Sequence, residues 1–188
     1  MGPEKERGRR VCVLPRFFLE RMIMGKLKIY RVDCKYVRFL YGCDNRVQWN
    51  KNTRRPYVGV VLTVGSYRYF VPMESPKPSH LNMKSSVYIL PIEKGRYGIL
   101  GFNNMIPVPT SALIAFDINL EPDKQYAELL RRQAAFFNSH EADIYSRAAK
   151  TYFRATTKTV DSFFRQICCD FKKLEAACDR YNPNYRRK

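Results

Sequence analysis

Tyr57-Val58-Gly59-Val60-Val61-Leu62-Thr63-Val64-Gly65-Ser66-Tyr67-Arg68-Tyr69-Phe70-Val71-Pro72 is two β-rich runs around a Gly-Ser pair. β-Branched and aromatic side chains suit a pleated surface, and a Gly-Ser pair between such runs is a turn signal. The stretch predicts an antiparallel hairpin. Upstream, Lys28 to Asp33 alternates and predicts a strand, and Lys35 to Tyr41 predicts a short helix with Tyr36, Phe39 and Leu40 on one side. Asp44 to Arg55 is a polar, basic loop that holds Trp49, the only tryptophan. Downstream, Ser86–Ile92 and Tyr97–Phe102 flank Glu93-Lys94-Gly95-Arg96 as a second hairpin, and residues 104–109 and 112–117 add extended segments.

After Leu120 the period changes. Pro122 suits the first turn of a helix, and Tyr126, Leu129, Leu130 and Phe137 recur at helical spacing. Residues 141–155 predict another helix. Val160, Phe163, Phe164, Ile167, Phe171, Leu174, Cys178 and Tyr181 form one long amphipathic stripe that reads as a core face. Strands first and helices after make the class α+β, with a helical C-terminal part.

The balance of 34 Lys+Arg against 17 Asp+Glu leaves a formal charge of +17. Self-repulsion of that size points to a polyanionic partner, with nucleic acid ahead of an anionic membrane surface. No stretch is apolar enough to span a bilayer. Residues 1–23 carry no signal-peptide pattern and read as an N-terminal extension; residues 24–182 read as one domain and 183–188 as a basic tail. Six cysteines and two histidines lack metal-site spacing, so no metal is expected, and the thiols read as reduced in a cytoplasmic protein. No GxGxxG or GxxxxGK[ST] stretch occurs, and no cofactor is expected.

The predicted hairpin runs out into Pro72-Met73-Glu74-Ser75-Pro76-Lys77-Pro78-Ser79-His80. Three prolines stiffen this loop and deny donors to a ladder, so an exit from the sheet is expected. RNA cleavage needs no added nucleophile, because the ribose 2′-OH attacks its own phosphate. The protein helps deprotonation, steadies the charged phosphorus centre and protonates the leaving 5′-oxygen. Lys77 supplies an ammonium for phosphate charge, Ser75 a hydroxyl that orients the 2′-OH or phosphate, and His80 an imidazole near a useful pKa. The same loop also reads as a rigid corner.

Several motifs in order resemble the ToxN/AbiQ family of type III toxin–antitoxin endoribonucleases, including its CptN branch. These are Lys28-Ile29-Tyr30, Lys35-Tyr36-Val37, Val58-Gly59-Val60-Val61-Leu62, Pro72-Met73-Glu74-Ser75-Pro76-Lys77, and the run from Gly98 to Pro107. The resemblance implies a twisted antiparallel β core like the barrel-type sheet of Kid/MazF, surrounded by helices. It implies a metal-independent, sequence-selective endoribonuclease that leaves 2′,3′-cyclic phosphate and 5′-OH ends on cellular or phage RNA. It also implies inhibition by a small repeated pseudoknot RNA that the toxin processes, closed protein–RNA rings, and no protein antitoxin. Ser75 and Lys77 match the family's active-site serine and lysine, and Tyr36 matches a tyrosine of its site. Arg55 falls where the family has an active-site lysine, and Lys51 near another tyrosine. Glu74 stands where the family often has threonine. Arg54, Arg55, Lys51 and His80 are read as RNA or phosphate contacts, and Trp49 as a base-stacking residue. The competing readings are a non-catalytic basic RNA-binding protein of the same fold and a protein of the membrane surface.

Overall fold

The computed structural model describes residues 27–50, 52, 54–157 and 162–183, with only the backbone at Val60. The expected N-terminal extension, Lys51, Val60's side chain, Val160 and the tail beyond Pro183 lie outside that description.

The hairpin of residues 57–72 is the centre of the fold. Strands β2 (Pro56–Val64) and β3 (Tyr67–Glu74) pair antiparallel, from Val64 with Tyr67 to Tyr57 with Pro72. Gly65 sits at φ +58° in the turn, where a side chain would be strained. The register shifts between Gly59 and Leu62, and the ring of Phe70 lies where a Cβ on Gly59 would fall, 2.2 Å away. On the other side of β2 lies β1 (Lys28–Val32), followed at the edge by β7 (Leu113–Ile114). The free side of β3 is shared: β6 (Ile106–Pro107) pairs with Tyr69 and Phe70, and β5 (Ile99–Gly101) with Met73 and Glu74. β4 (Ile89–Pro91) completes the sheet beside β5.

This sheet is antiparallel and open. It runs β4-β5-β3-β2-β1-β7, and its two edge strands have three and two residues and do not pair with one another. The barrel-type closure implied by resemblance is therefore not what the chain forms. Edges this short carry few ladder hydrogen bonds, and helices pack against the core instead.

Helix α1 (Cys34–Cys43) is capped by Asp33, whose carboxylate accepts from the Lys35 amide at 2.7 Å. It buries Tyr36, Val37 and Leu40. Helix α2 (Lys124–Ser139) begins two residues after Pro122, because Asp123 is the cap and accepts from the Gln125 and Tyr126 amides. Helix α3 (Glu141–Thr156) follows directly. The long C-terminal stripe is two helices, α4 (Ser162–Ile167) and α5 (Phe171–Arg180). The break occurs because other acceptors take the backbone donors: Cys169 N–H donates to Asn103 O at 2.8 Å and Asp170 N–H to Asp44 Oδ2 at 2.6 Å. Asp170 then caps α5 through the Lys173 amide. The stripe still faces the core, as Phe164, Phe171, Leu174 and Ala177 are all buried. Burying aromatics such as Tyr57, Tyr69, Phe70, Phe102, Phe137 and Phe171 removes the most apolar area from water per residue. The five described cysteines are free. Among the described residues no helix is long and apolar enough to cross a membrane.

Candidate active site

β3 runs two residues further than its prolines predict. Pro72 pairs with Tyr57 on one side and falls on the other between the β6 and β5 pairings, where no ladder donor is required of it. Met73 and Glu74 then pair with Leu100 and Ile99, so Glu74 ends the strand in a fixed place. Gly98 enforces that place: at φ +93°, a Cβ there would stand 2.0 Å from the Glu74 carbonyl oxygen. The chain then turns out through Ser75, Pro76 and Lys77, all exposed, into one 3₁₀ turn over Pro78–His80. The His80 amide closes that turn on Lys77 O at 2.9 Å.

Glu74 is the electrostatic centre of the loop. Its Oε1 accepts from Gln48 Nε2 at 2.9 Å, and its Oε2 from Lys77 Nζ at 3.1 Å. Burial alone would raise its pKa, but the Gln48 and Lys77 hydrogen bonds and the charges of Lys77 and Arg55 hold it below the usual carboxylate value. His80 is buried, with Nε2 4.0 Å from Glu74 Oε2 and no partner for Nδ1. Burial pushes its pKa down, with Glu74 pulling the other way, so the neutral imidazole is favoured.

Beside the loop opens a cleft of about 450 Å³. It is lined by Ser75, Met73, Arg54, Arg55 and Pro56 together with Arg31, Glu121, Asp123 and Tyr126. Arg55 is oriented by two backbone acceptors, Trp49 O to Nε at 3.0 Å and Met73 O to Nη1 at 3.2 Å. Arg31 pairs with Glu121 at 3.1 Å, and its guanidinium lies 4.3 Å from the centre of the Phe116 ring. The cleft thus joins the Ser75 hydroxyl and the Tyr126 phenol to three arginines and two carboxylates, one of them paired with Arg31, with an ammonium two residues from Ser75 along the loop. Among the described residues no three His, Cys, Asp or Glu side chains are grouped as metal ligands.

The structure brings together Ser75, Arg54 and Arg55, and places Lys77 on the same loop tied to Glu74. It does not bring Tyr36. That side chain is fully buried, its hydroxyl donates to Pro107 O at 2.6 Å, and its ring packs edge-on against Tyr181. Burial first, and then Cys178, raises its pKa far above that of a free phenol. Tyr36 packs in the core and does not line the cleft. His80 is also inside the loop rather than on the cleft wall. Trp49 is exposed next to the cleft. Lys51 lies outside the described residues. Sequence reasoning missed Arg31, Gln48, Glu121, Asp123 and Tyr126. No local motif marks them, because they reach the site from β1, the loop after α1, and the start of α2.

The family model for toxin ToxN of the type III toxin–antitoxin system matches residues 28–179. The chain belongs to the ToxN family. The ToxN-family match takes in β1 through most of α5 and so includes the whole cleft. A relative named endoribonuclease ToxN, from Bacillus thuringiensis subsp. kurstaki, is 33% identical over 82% of this chain and 84% of its own length. Endoribonuclease AbiQ of Lactococcus lactis subsp. lactis is 28% identical over 88% of this chain and 95% of its own. Two solved structures share the fold with 28% identity. One, with a TM-score of 0.75 over 85% of this chain and all of its own, comes from work on selective inhibition of a type III toxin by a non-coding RNA pseudoknot. The other is AbiQ, described as a lactococcal anti-phage endoribonuclease of a type III system, with a TM-score of 0.73 over 84% of this chain and 98% of its own.

Proposed function

We propose that this ToxN-family chain is the endoribonuclease toxin of a type III toxin–antitoxin system, and that Ser75 and Lys77 carry its chemistry. The observation that carries the reading is the placement of Ser75 on the cleft wall with Arg54 and Arg55, one proline away from Lys77. A phosphate in the cleft meets two guanidinium groups that neutralise it and a hydroxyl that fixes its orientation. The 2′-OH of the preceding ribose attacks phosphorus, the P–O5′ bond breaks, and the products are a 2′,3′-cyclic phosphate and a 5′-OH. The 2′-OH gives its proton to solvent water as it attacks, and Lys77 turns from Glu74 toward the pentavalent phosphorus centre and donates a proton to the departing O5′. No metal or cofactor enters these steps.

The +17 charge suits both an RNA substrate and an RNA antitoxin. Inhibition by a pseudoknot RNA and a role in phage defence match what the relatives are described as doing; that the RNA is repeated, that the toxin itself trims it and that the two assemble into closed rings belong to the same proposal and rest on the family resemblance alone. No protein antitoxin enters this scheme. We place the protein in the cytoplasm, its working domain at about residues 24–182, with 1–23 as an extension and 183–188 as a basic tail. Its kinship with the Kid/MazF sheet is proposed for the twisted antiparallel core, not for closure.

The experiment is cleavage of RNA in EDTA by the wild type and by Ser75→Ala, with the fragment ends identified. Cyclic-phosphate ends from the wild type alone uphold the reading. Equal binding without cutting would instead make this a non-catalytic RNA-binding protein, the reading that the Glu74–Lys77 ion pair favours if phosphate does not open it.

A further inference from the structure

One aromatic cluster stands outside the cleft. Tyr41, near the end of α1, is 46% exposed, and Trp49, in the loop that follows, is 37% exposed. Their ring centroids are 6.2 Å apart at an interplanar angle of 79°, so the edge of one faces the other. The guanidinium of Arg38 lies 5.4 Å from the centre of the Trp49 ring. Large aromatic side chains left in water are costly to a folded chain, and two together with a cation are a recognition surface rather than a scattered exception.

Trp49 is not exposed because its loop is loose. The backbone is anchored on both sides of it. Gln48 holds Glu74 Oε1 at 2.9 Å and Asn104 Oδ1 at 3.2 Å. Asn50 is fully buried and donates to Val32 O at 2.8 Å, while its own carbonyl accepts from the Arg55 amide at 3.0 Å. The ring is therefore presented on a fixed mount. That mount is continuous with the cleft: the Trp49 carbonyl accepts from Arg55 Nε, and Arg55 lines the cleft with Ser75.

We propose that Trp49, with Tyr41 and Arg38, is a stacking platform for one unpaired nucleobase of the RNA strand whose phosphate lies in the cleft. The proposal rests on the RNA-cleaving reading above and adds a base subsite to it. Three features select this occupant. An indole face stacks on any base, the neighbouring guanidinium attracts the strand, and the next cations along the surface, Arg55 and Arg54, are placed for the adjoining phosphates. The platform rewards single-stranded RNA, because a base held in a duplex has no free face to offer. It biases which phosphate enters the cleft, and so acts on site choice.

Trp49 is the only tryptophan in the chain, so its fluorescence reports on the platform alone. The test titrates the full-length protein with an unstructured 2′-O-methyl oligoribonucleotide, which binds but supplies no attacking hydroxyl. A strand of equal length made of abasic 2′-O-methyl units is the control. The base-bearing strand is expected to quench Trp49 emission, and the abasic strand to leave it unchanged. Trp49→Ala is expected to weaken the base-bearing strand about tenfold, within the range for losing one stacked base. It should leave the abasic strand's affinity unchanged, and Trp49→Phe should restore most of the loss. Equal quenching by both strands, unaltered affinity in Trp49→Ala, or an emission change that tracks protein concentration without RNA would each overturn the platform. The last would assign the patch to contact between copies of the chain. The two readings fail separately. If wild type cuts RNA and Ser75→Ala does not, while Trp49→Ala binds normally, the platform alone falls. A protein that binds neither strand and cuts no RNA overturns both.

Discussion

Lys77 Nζ lies 3.1 Å from Glu74 Oε2, while Gln48 holds the other carboxylate oxygen at 2.9 Å. The Glu74 side chain is 20% exposed and that of Lys77 58%, so the carboxylate is the fixed partner and the ammonium the movable one. An exposed pair of this kind is worth at most about 1 kcal/mol. In the proposed mechanism the dianionic transition state outcompetes it, and the pair is expected to open when RNA binds.

Glu74→Gln removes a negative charge from the phosphate's surroundings and keeps a side chain for Gln48 to contact. RNA binding is expected to tighten by roughly threefold to tenfold, the worth of one like charge at partial exposure, while kcat stays near the wild-type value because Lys77 has already left Glu74 in the reacting complex. Separate measurement of kcat and KM checks this; a rise in KM would contradict it.

Ser75→Ala and Lys77→Ala are each expected to lower kcat by about 10²- to 10⁴-fold, the usual worth of one positioned proton-transfer or charge-stabilising group. Neither side chain supports the core, since both residues are exposed. Melting temperatures should therefore stay near that of the wild type, and RNA affinity should change far less than kcat.

Tyr36→Phe separates packing from catalysis. The hydroxyl donates to the buried Pro107 carbonyl, and its loss leaves that acceptor unpaired, at a cost of about 1–3 kcal/mol. A lower melting temperature with cleavage close to wild type is expected. Lost cleavage at unchanged stability would return Tyr36 to the site.

Gly98→Ala should disturb the site from outside it. The new Cβ would sit 2.0 Å from Glu74 O at a φ of +93°, so the end of β3 has to move. Cleavage is expected to fall further than RNA binding, because Ser75 and Lys77 follow directly from that strand end. Activity and affinity measured on the same preparation check it.

The pH dependence of stability carries two signs that agree. Burial depresses the folded pKa of His80 below its ordinary 6.5, so the unfolded chain takes up that proton first. Its contribution is full above pH 6.5 and is lost as pH falls through the lower folded value. Glu74 is likewise depressed below 4.5; its contribution is present above that value and is lost as pH falls further. Thermal melts should show a first decline beginning near pH 6.5 that His80→Gln removes. A second, more acidic decline should be removed by Glu74→Gln.

The centre of the fold is locally encoded. The hairpin over 57–72 is coded by adjacent residues, β formers around a Gly-Ser turn, and it forms the centre of the sheet. Ser75 and Lys77 lie within three residues, so their sharing one loop needs no tertiary knowledge. The two-helix break after Ile167 was hidden because the apolar period runs straight through it. The stop is made by Asp44 and Asn103, which lie more than sixty residues upstream. The placement of Tyr36 is hidden for a related reason. A phenol has the same place in the sequence whether it faces a cleft or a core, and only the packing of α1 under α5 shows that it faces Tyr181 and Pro107.

By itself the sequence determined the α+β class, the central hairpin, the proline-stiffened loop and the family motifs, because turns, periodicity and motif order are local properties of a chain. Only the tertiary structure decided that the sheet stays open, that Glu74 holds Lys77 and that Trp49 is displayed. It also decided that Arg31 and Tyr126, ninety-five residues apart, share a cleft with Ser75. Those outcomes depend on which surfaces are buried against one another. That is settled by the whole core at once, and no single segment encodes it.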